Sequence, residues 1–413
     1  MVCARSRRLR KCGWVLVLAL TVGLVLTWYT SRVAQADGGA PNLAYIVTEA
    51  ANGGNLVIID LGTGQLAAHL EVGGDPRAVI LSVDSRFAYV SQSAYDAIAI
   101  VDAHTRRMAG TLPTGDAPGA MALDIAVTGY LYVVNTAGDS VTALDLAQRR
   151  TVATIPVGKS PRGIAVAGPG SGIANPGDAE IYVANAESNS VSVISARSQQ
   201  VVADIPVPGG PQEVVVPATG GVAYVGTSEG TILALDLASH QPLGQLLRLK
   251  GGAPGVMDYD AVTGQIYVPD PTGGVVEVLR PASPASEGGS PTLPDEPART
   301  LPIANGPTAV AITFDGALGF VAQRSAGRVA MFDAGTYTII TTFTVGDAPR
   351  AIITGAYPPR APDAPVTTPS LDGGRIALWI AVVVLVVGGT TYFGWSVMSR
   401  RSRLSRSRKP ASP

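Results

Sequence analysis

The chain has 413 residues, with 30 Lys plus Arg against 31 Asp plus Glu, and its formal charge of −1 conceals a sharp division. All 31 acids lie between residues 37 and 375, where only 18 of the bases fall, so this segment carries a formal −13. A body so acidic repels nucleic acid and anionic headgroups. With its only cysteines at Cys3 and Cys12, it also has no disulfide, thiolate nucleophile or haem-attachment motif.

Residues 1–36 open with Arg5, Arg7, Arg8, Arg10 and Lys11, continue through an apolar run from Trp14 to Trp28, and end in SRVAQA. That is the layout of a secretory signal, with Ala34-Gln35-Ala36 meeting the small-residue cleavage rule just ahead of Asp37. An uncleaved anchor is the alternative, supported by Trp28, Tyr29 and Arg32.

From residue 43 a repeat begins. AYIV (44–47), AYV (88–90), LYVVN (131–135), IYVAN (181–185), AYVG (223–226), IYVPD (266–270) and GFVA (319–322) are short β-branched and aromatic runs. Tyr45, Tyr89, Tyr132, Tyr182, Tyr224, Tyr267 and Phe320 are spaced by 44, 43, 50, 42, 43 and 53 residues, the length of a four-stranded propeller blade. Partner strands follow in constant order: NLVIID, AIAIVD, SVTALD, SVSVIS, TILALD, GVVEVL and RVAMFD. A third strand then runs into a Gly/Pro turn such as GGDPR, GKSPR or GDAPR. Val, Ile and Tyr suit a half-buried pleated surface and Gly, Pro, Asn and Ser suit sharp reversals, so each unit reads as four antiparallel strands. One such sheet cannot bury both faces and needs neighbours like itself.

IYVANAESNSVSVI and VVATIPVGKSPRGIAV resemble the YVTN-type β-propeller repeats of prokaryotic surface-layer and cell-surface proteins. The resemblance spans residues 43–355 and implies an all-β, seven-bladed propeller. Its signature consists of strand and turn residues, so it transfers no catalytic position.

The first repeat enters directly at LAYIV without an innermost strand, whereas the last continues past its Gly/Pro turn into RAIITG (350–355). That spare strand is expected to complete blade one and to remove the open sheet edge. With strands lettered A (inner) to D (outer), the D–A and B–C turns share one face, and the A–B and C–D loops share the other. Both chain ends and the insertions at 167–180 and 281–300 then belong to the A–B face.

Residues 356–374, rich in Pro and polar side chains, are expected to form an extended stalk of up to ~3.1 Å per residue. Residues 375–399 follow as a transmembrane helix, because 376–398 hold no charge and are long enough to cross a hydrocarbon core of roughly 30 Å. The basic tail, 400–413, with Arg400, Arg401, Arg403, Arg406, Arg408 and Lys409, is held in the cytoplasm by the positive-inside rule. This topology places the acidic body outside a cell membrane on a single C-terminal span. The D–A face and its channel mouth then point away from the bilayer.

Residues that could carry chemistry are few. His69, His104 and His240 fall on an outer strand or in C–D turns of different blades and read as solvated rim residues, so neither a metal site nor a cofactor is expected. No catalytic triad, phosphate loop, zinc spacing or EF-hand loop is present. The residue after each turn proline is Arg350, Arg77, Gly119, Arg162, Gln212, Gly255 and Thr308 around the ring. Arg77, Arg162 and Arg350, with Gln212 and Glu213, are therefore the candidate binding residues at the channel mouth. Asp75, Asp116 and Asp347 in the same turns support local charge compensation, and guanidinium forks gripping a carboxylate-bearing ligand are the sharper alternative.

The anchor, the stalk, the outward turns and the missing catalytic set favour a surface-displayed binding, adhesion or scaffold module over an enzyme. Its expected partner is an extracellular protein or carbohydrate. The alternative is an extracellular lactonase-like or other small-molecule enzyme with its site at the channel mouth, since some propellers resembling this one hydrolyse lactones or sugar derivatives. A signalling sensor is disfavoured, because a basic tail of about 14 residues offers no output domain.

Overall fold

Alternating apolar strands that need cover on both faces assemble here by stacking side by side in a ring. The computed structural model describes residues 43–355 apart from 52, 219, 284–291 and 295–298. The expected signal segment, stalk, transmembrane helix and tail, and most of the 281–300 insertion, lie outside the described residues. Among the described residues no helix is long and apolar enough to cross a membrane.

These residues form seven four-stranded antiparallel sheets, the blades of a β-propeller. Blade one is closed by the chain's last strand: Ala348–Gly355 pairs with Leu43–Glu49, which leads out to Asn55–Asp60 and Gln65–Glu71. Tyr45 stands opposite Ile353 and Leu43 opposite Gly355, so both ends of the ring lie together on the A–B face.

Burial follows strand position. Second strands such as Glu180–Asn185 and Val222–Thr227 are buried at every residue, because neighbouring blades cover both faces of the sheet. Outer strands such as Arg150–Pro156 and Gln200–Pro206 are largely exposed. The register of the outer strand slips at one repeated place, between Ile58 and Ile59, Ile100 and Val101, Ala143 and Leu144, Val193 and Ile194, and Met331 and Phe332. A bulge there twists these outer edges away from pairing with another chain.

The repeated aromatic is the largest side chain in the core: Tyr45, Tyr132, Tyr182, Tyr224, Tyr267 and Phe320 are fully buried. Blade seven adds a second ring, Phe332, whose strand partner across the ladder is Gly319. A Cβ on Gly319 would stand 2.0 Å from Phe332 Cζ. Gly319→Ala is therefore expected to force this buried ring off its rotamer and to destabilise the ring by about 2–3 kcal/mol, as overpacked cores are. A urea titration checks this; a midpoint equal to wild type would show that blade seven accommodates the methyl group.

Blade six departs from the repeat. Its inner strand is only Asp258–Tyr259, and Val256 bridges instead in parallel to Ala309 of blade seven, with Val256 N donating to Thr308 O at 2.8 Å. The turn before it, LKGGAP, is one residue longer than its counterparts such as VGGDP. Gly255 N still donates to Pro269 O of its own second strand at 3.0 Å, and the next residue, Val256, makes the bridge to the neighbouring blade. The insertion at 167–180 is built into the fold, with Ile173 buried in an apolar cluster and the Asp178 carboxylate accepting the Arg197 N–H at 3.0 Å.

Candidate functional site: the central channel

The inner strands enclose a channel that divides into two cavities. One of about 440 Å³ opens on the D–A face and is lined by Arg77, Ser93, Thr136, Arg162 and Glu213 among others. The other, about 500 Å³, extends towards the A–B face between Met121, Ile164, Val214, Asp258, Phe314 and Ile352. Val79, Met121, Ile164, Glu213, Val256 and Ile352 line both, so they mark the waist.

Of the residues expected at the mouth, Arg77, Arg162 and Glu213 come together in the upper cavity. Arg350 and Gln212 are not in its lining. Arg350 is drawn into a charge network that ties three blades: its Nη1 meets Asp75 Oδ1 at 2.7 Å and its Nη2 meets Glu49 Oε2 at 2.6 Å. Arg324 of blade seven closes on the same Glu49 carboxylate, and Arg77 pairs with Asp75 at 2.5 Å. Hydrogen bonds from Arg350 and then Arg324 hold the Glu49 carboxyl below its ordinary range. Gln212 donates from Nε2 to the Gly210 carbonyl at 3.3 Å. Arg162, exposed at the mouth, makes no ion pair among the described residues.

Below the arginines the wall is apolar with two exceptions. Two positions after each turn proline the strands carry Ala78, Ala120, Gly163, Glu213, Val256, Ala309 and Ala351, so Glu213 is the one ionisable residue at its level. Burial pushes its carboxyl up to about 8. Two residues further along, the equivalents are Ile80, Ala122, Ala165, Val215, Asp258, Ala311 and Ile353, and Asp258 is the one acid at that level. Burial raises Asp258 to about 6, opposed by the hydrogen bond that its Oδ2 accepts from Ile312 N at 2.8 Å. Sequence reasoning passed over Asp258, although aligning the seven inner strands exposes it as an acid in an apolar column.

The histidines do not converge. His69 and His104 are exposed, as the sequence suggests, but His240 is not a solvated rim residue. Its Nε2 lies 3.0 Å from Glu180 Oε2, which also accepts the Tyr182 hydroxyl at 2.7 Å, in a clasp between blades four and five. The C–D turn of blade five, closed by a left-handed His240, leans far enough sideways to reach the next sheet. Among the described residues no group of three or more His, Cys, Asp or Glu is placed to hold a metal ion.

No family model matches the chain, and no curated protein matches it in sequence. Solved structures do resemble it in fold. A functionally unknown protein from Desulfotomaculum acetoxidans has a TM-score of 0.61 at 12% identity, with 77% of this chain and all (100%) of that one covered. A putative 6-phosphogluconolactonase from Bacteroides fragilis has a TM-score of 0.58 at 16% identity, covering 78% of this chain and 99% of that one. The hydrazine synthase of Kuenenia stuttgartiensis has a TM-score of 0.55 at 18% identity, covering 69% and 93% respectively. At such identities the likeness establishes the seven-bladed propeller and nothing about chemistry.

Proposed function

We propose that this protein is a membrane-anchored, surface-displayed binding module of the YVTN-repeat type that grips a carboxylate-bearing ligand or partner at the channel mouth on its D–A face. The observation that carries the proposal is the Arg162 guanidinium, without an ion pair among the described residues, on a cavity of about 440 Å³ whose other arginine, Arg77, pairs with an Asp75 that it shares with Arg350. A free guanidinium fork in a concave site matches a carboxylate in charge and in planar geometry. Orientation supports the same reading. Both ring ends lie on the opposite face, away from the mouth.

Calorimetric titration of carboxylate probes, including uronic acids and N-acetylated amino acids, tests the proposal. Arg162→Ala is expected to weaken the best probe at least 10-fold, equal to about 1.4 kcal/mol. Unchanged affinity in that variant overturns it. A second reading, hydrolysis of a lactone, is favoured by Glu213, which stays protonated at neutral pH within the same cavity as a general acid must. One solved structure of the same fold is named as a putative lactonase. Turnover of a lactone panel that disappears in Glu213→Gln would decide for this second reading.

A further inference from the structure

Three ionisable side chains line the mouth cavity: Arg77, Arg162 and Glu213. Asp75 already satisfies Arg77. What remains is one cation and one acid on neighbouring inner strands, Pro161–Ala167 and Pro211–Val215, with no ion pair between them among the described residues. The two strands touch at this level. A Cβ on Gly163, next in chain to Arg162, would come within 2.7 Å of Glu213 Cα.

We propose that the mouth takes a zwitterion, a small molecule that sets its carboxylate on Arg162 and its ammonium on Glu213, as a free amino acid with an apolar side chain does. This rests on the binding reading above and specifies its ligand. A carboxylate held among Ala78, Ala120, Val256 and Ala351 has no charged protein partner at its level, and the cost of leaving it unpaired there keeps it mostly protonated until a cation joins it. An ammonium is the partner that removes that cost most fully. The Arg162 guanidinium alone would select an anion; an acid in the same cavity that ionises beside a cation selects a ligand with both signs. The lower cavity, whose apolar wall of Ala122, Val214, Val215 and Val310 is interrupted by Asp258, continues from the waist with room for an apolar side chain.

The groups facing Glu213 are few: Arg162 from blade four, Asp258 two residues deeper on blade six, and the neutralised Arg77 from blade two, while blades three, seven and one present Ala120, Ala309 and Ala351. Glu213 is mostly protonated at neutral pH, so pairing with an ammonium displaces its proton.

The test is isothermal titration of the full chain in detergent micelles with the apolar L-amino acids, using L-leucine with N-acetyl-L-leucine (anion only) and L-leucine methyl ester (cation only) as the analogue set. At least one apolar amino acid is expected to bind 10-fold or more tightly than its two singly charged analogues. Binding at pH 7 should release up to one proton, read from buffers of different ionisation enthalpy. Glu213→Gln should erase the advantage over the N-acetyl analogue, and Arg162→Gln the advantage over the ester. If the N-acetyl analogue binds as tightly as the amino acid and still depends on Arg162, the zwitterion proposal is overturned while the anion reading stands. If no apolar amino acid binds, the zwitterion proposal is also overturned, and the titration of carboxylate probes decides the anion reading by itself. The analogue comparison is made on the native chain, so it holds even where a variant fails to fold.

Discussion

A chain truncated after Asp347 is expected to lose cooperative folding, whereas one truncated after Pro359 keeps it. The difference between the two is essentially the strand Ala348–Gly355, the inner strand of blade one. Its loss removes Ala351 and Ile352 from the core, and buried side chains of the size of Ile352 contribute roughly 1.5–3 kcal/mol each. It also strips Leu43–Glu49 of one full ladder partner and dissolves the Arg350 links to Glu49 and Asp75. Set against the ~5–15 kcal/mol by which folded domains exceed their unfolded states, these losses together suffice to open the ring. The exposed strand edge then templates pairing between molecules. Calorimetry and gel filtration provide the check: a sharp melt and a monomeric peak for the shorter chain would show that the ring does not depend on this closure.

Glu213→Gln is expected to stabilise the protein at high pH and to leave it unchanged at low pH. Burial raises the folded-state value of Glu213 to about 8, above the ordinary carboxylate value of the unfolded chain. Between these two values the folded state binds the proton and the unfolded state has lost it, so stability falls as pH rises from about 4.5 to about 8 and is level on either side. The shift corresponds at most to ~5 kcal/mol at 1.36 kcal/mol per pH unit, and water entering the channel brings the expected gain to about 2 kcal/mol. Asp258, raised to about 6, adds a smaller loss in the same direction over the lower part of this range. Thermal melts of wild type and Glu213→Gln at pH 4 and pH 9 test this; equal differences at both values would show that Glu213 carries no buried charge.

Much of the fold is legible because a propeller blade is written locally. IYVAN, SNS, VSVIS and the Pro-rich turn specify strand, reversal, strand and reversal within some 35 residues, and seven copies leave a ring as the way to cover every sheet face. Even the closure can be derived, since a spare strand at one end matches a missing one at the other. Blade six is less legible: Val256 bridges to the neighbouring blade, and no strand propensity records that choice.

The mouth is legible only in part. Equivalent sequence positions promise three equivalent arginines, yet Arg77, Arg162 and Arg350 have three different fates. Arg77 meets Asp75 within its own turn, where Arg162 has Ser160 instead, and closure sets Arg350 apart: Glu49 and Arg350 are 301 residues apart in sequence and meet because the last strand joins the first blade. Arg162, in blade four, has no such seam beside it and keeps its charge free of ion pairs among the described residues. His240 follows the same logic, gaining Glu180 from a blade 60 residues away.

By itself the sequence determines the number of blades, the order of strands within each and the level at which every inner-strand residue stands, because these depend on short-range alternation and turn chemistry. Beyond the local Asp75–Arg77 pair, which charges cancel is decided by the tertiary structure. An ion pair needs approach within a few ångströms, and that distance is set by how seven sheets twist and close. In this ring, closure draws Arg350 into a seam with Glu49 and Asp75, while Arg162 and Glu213 face the channel.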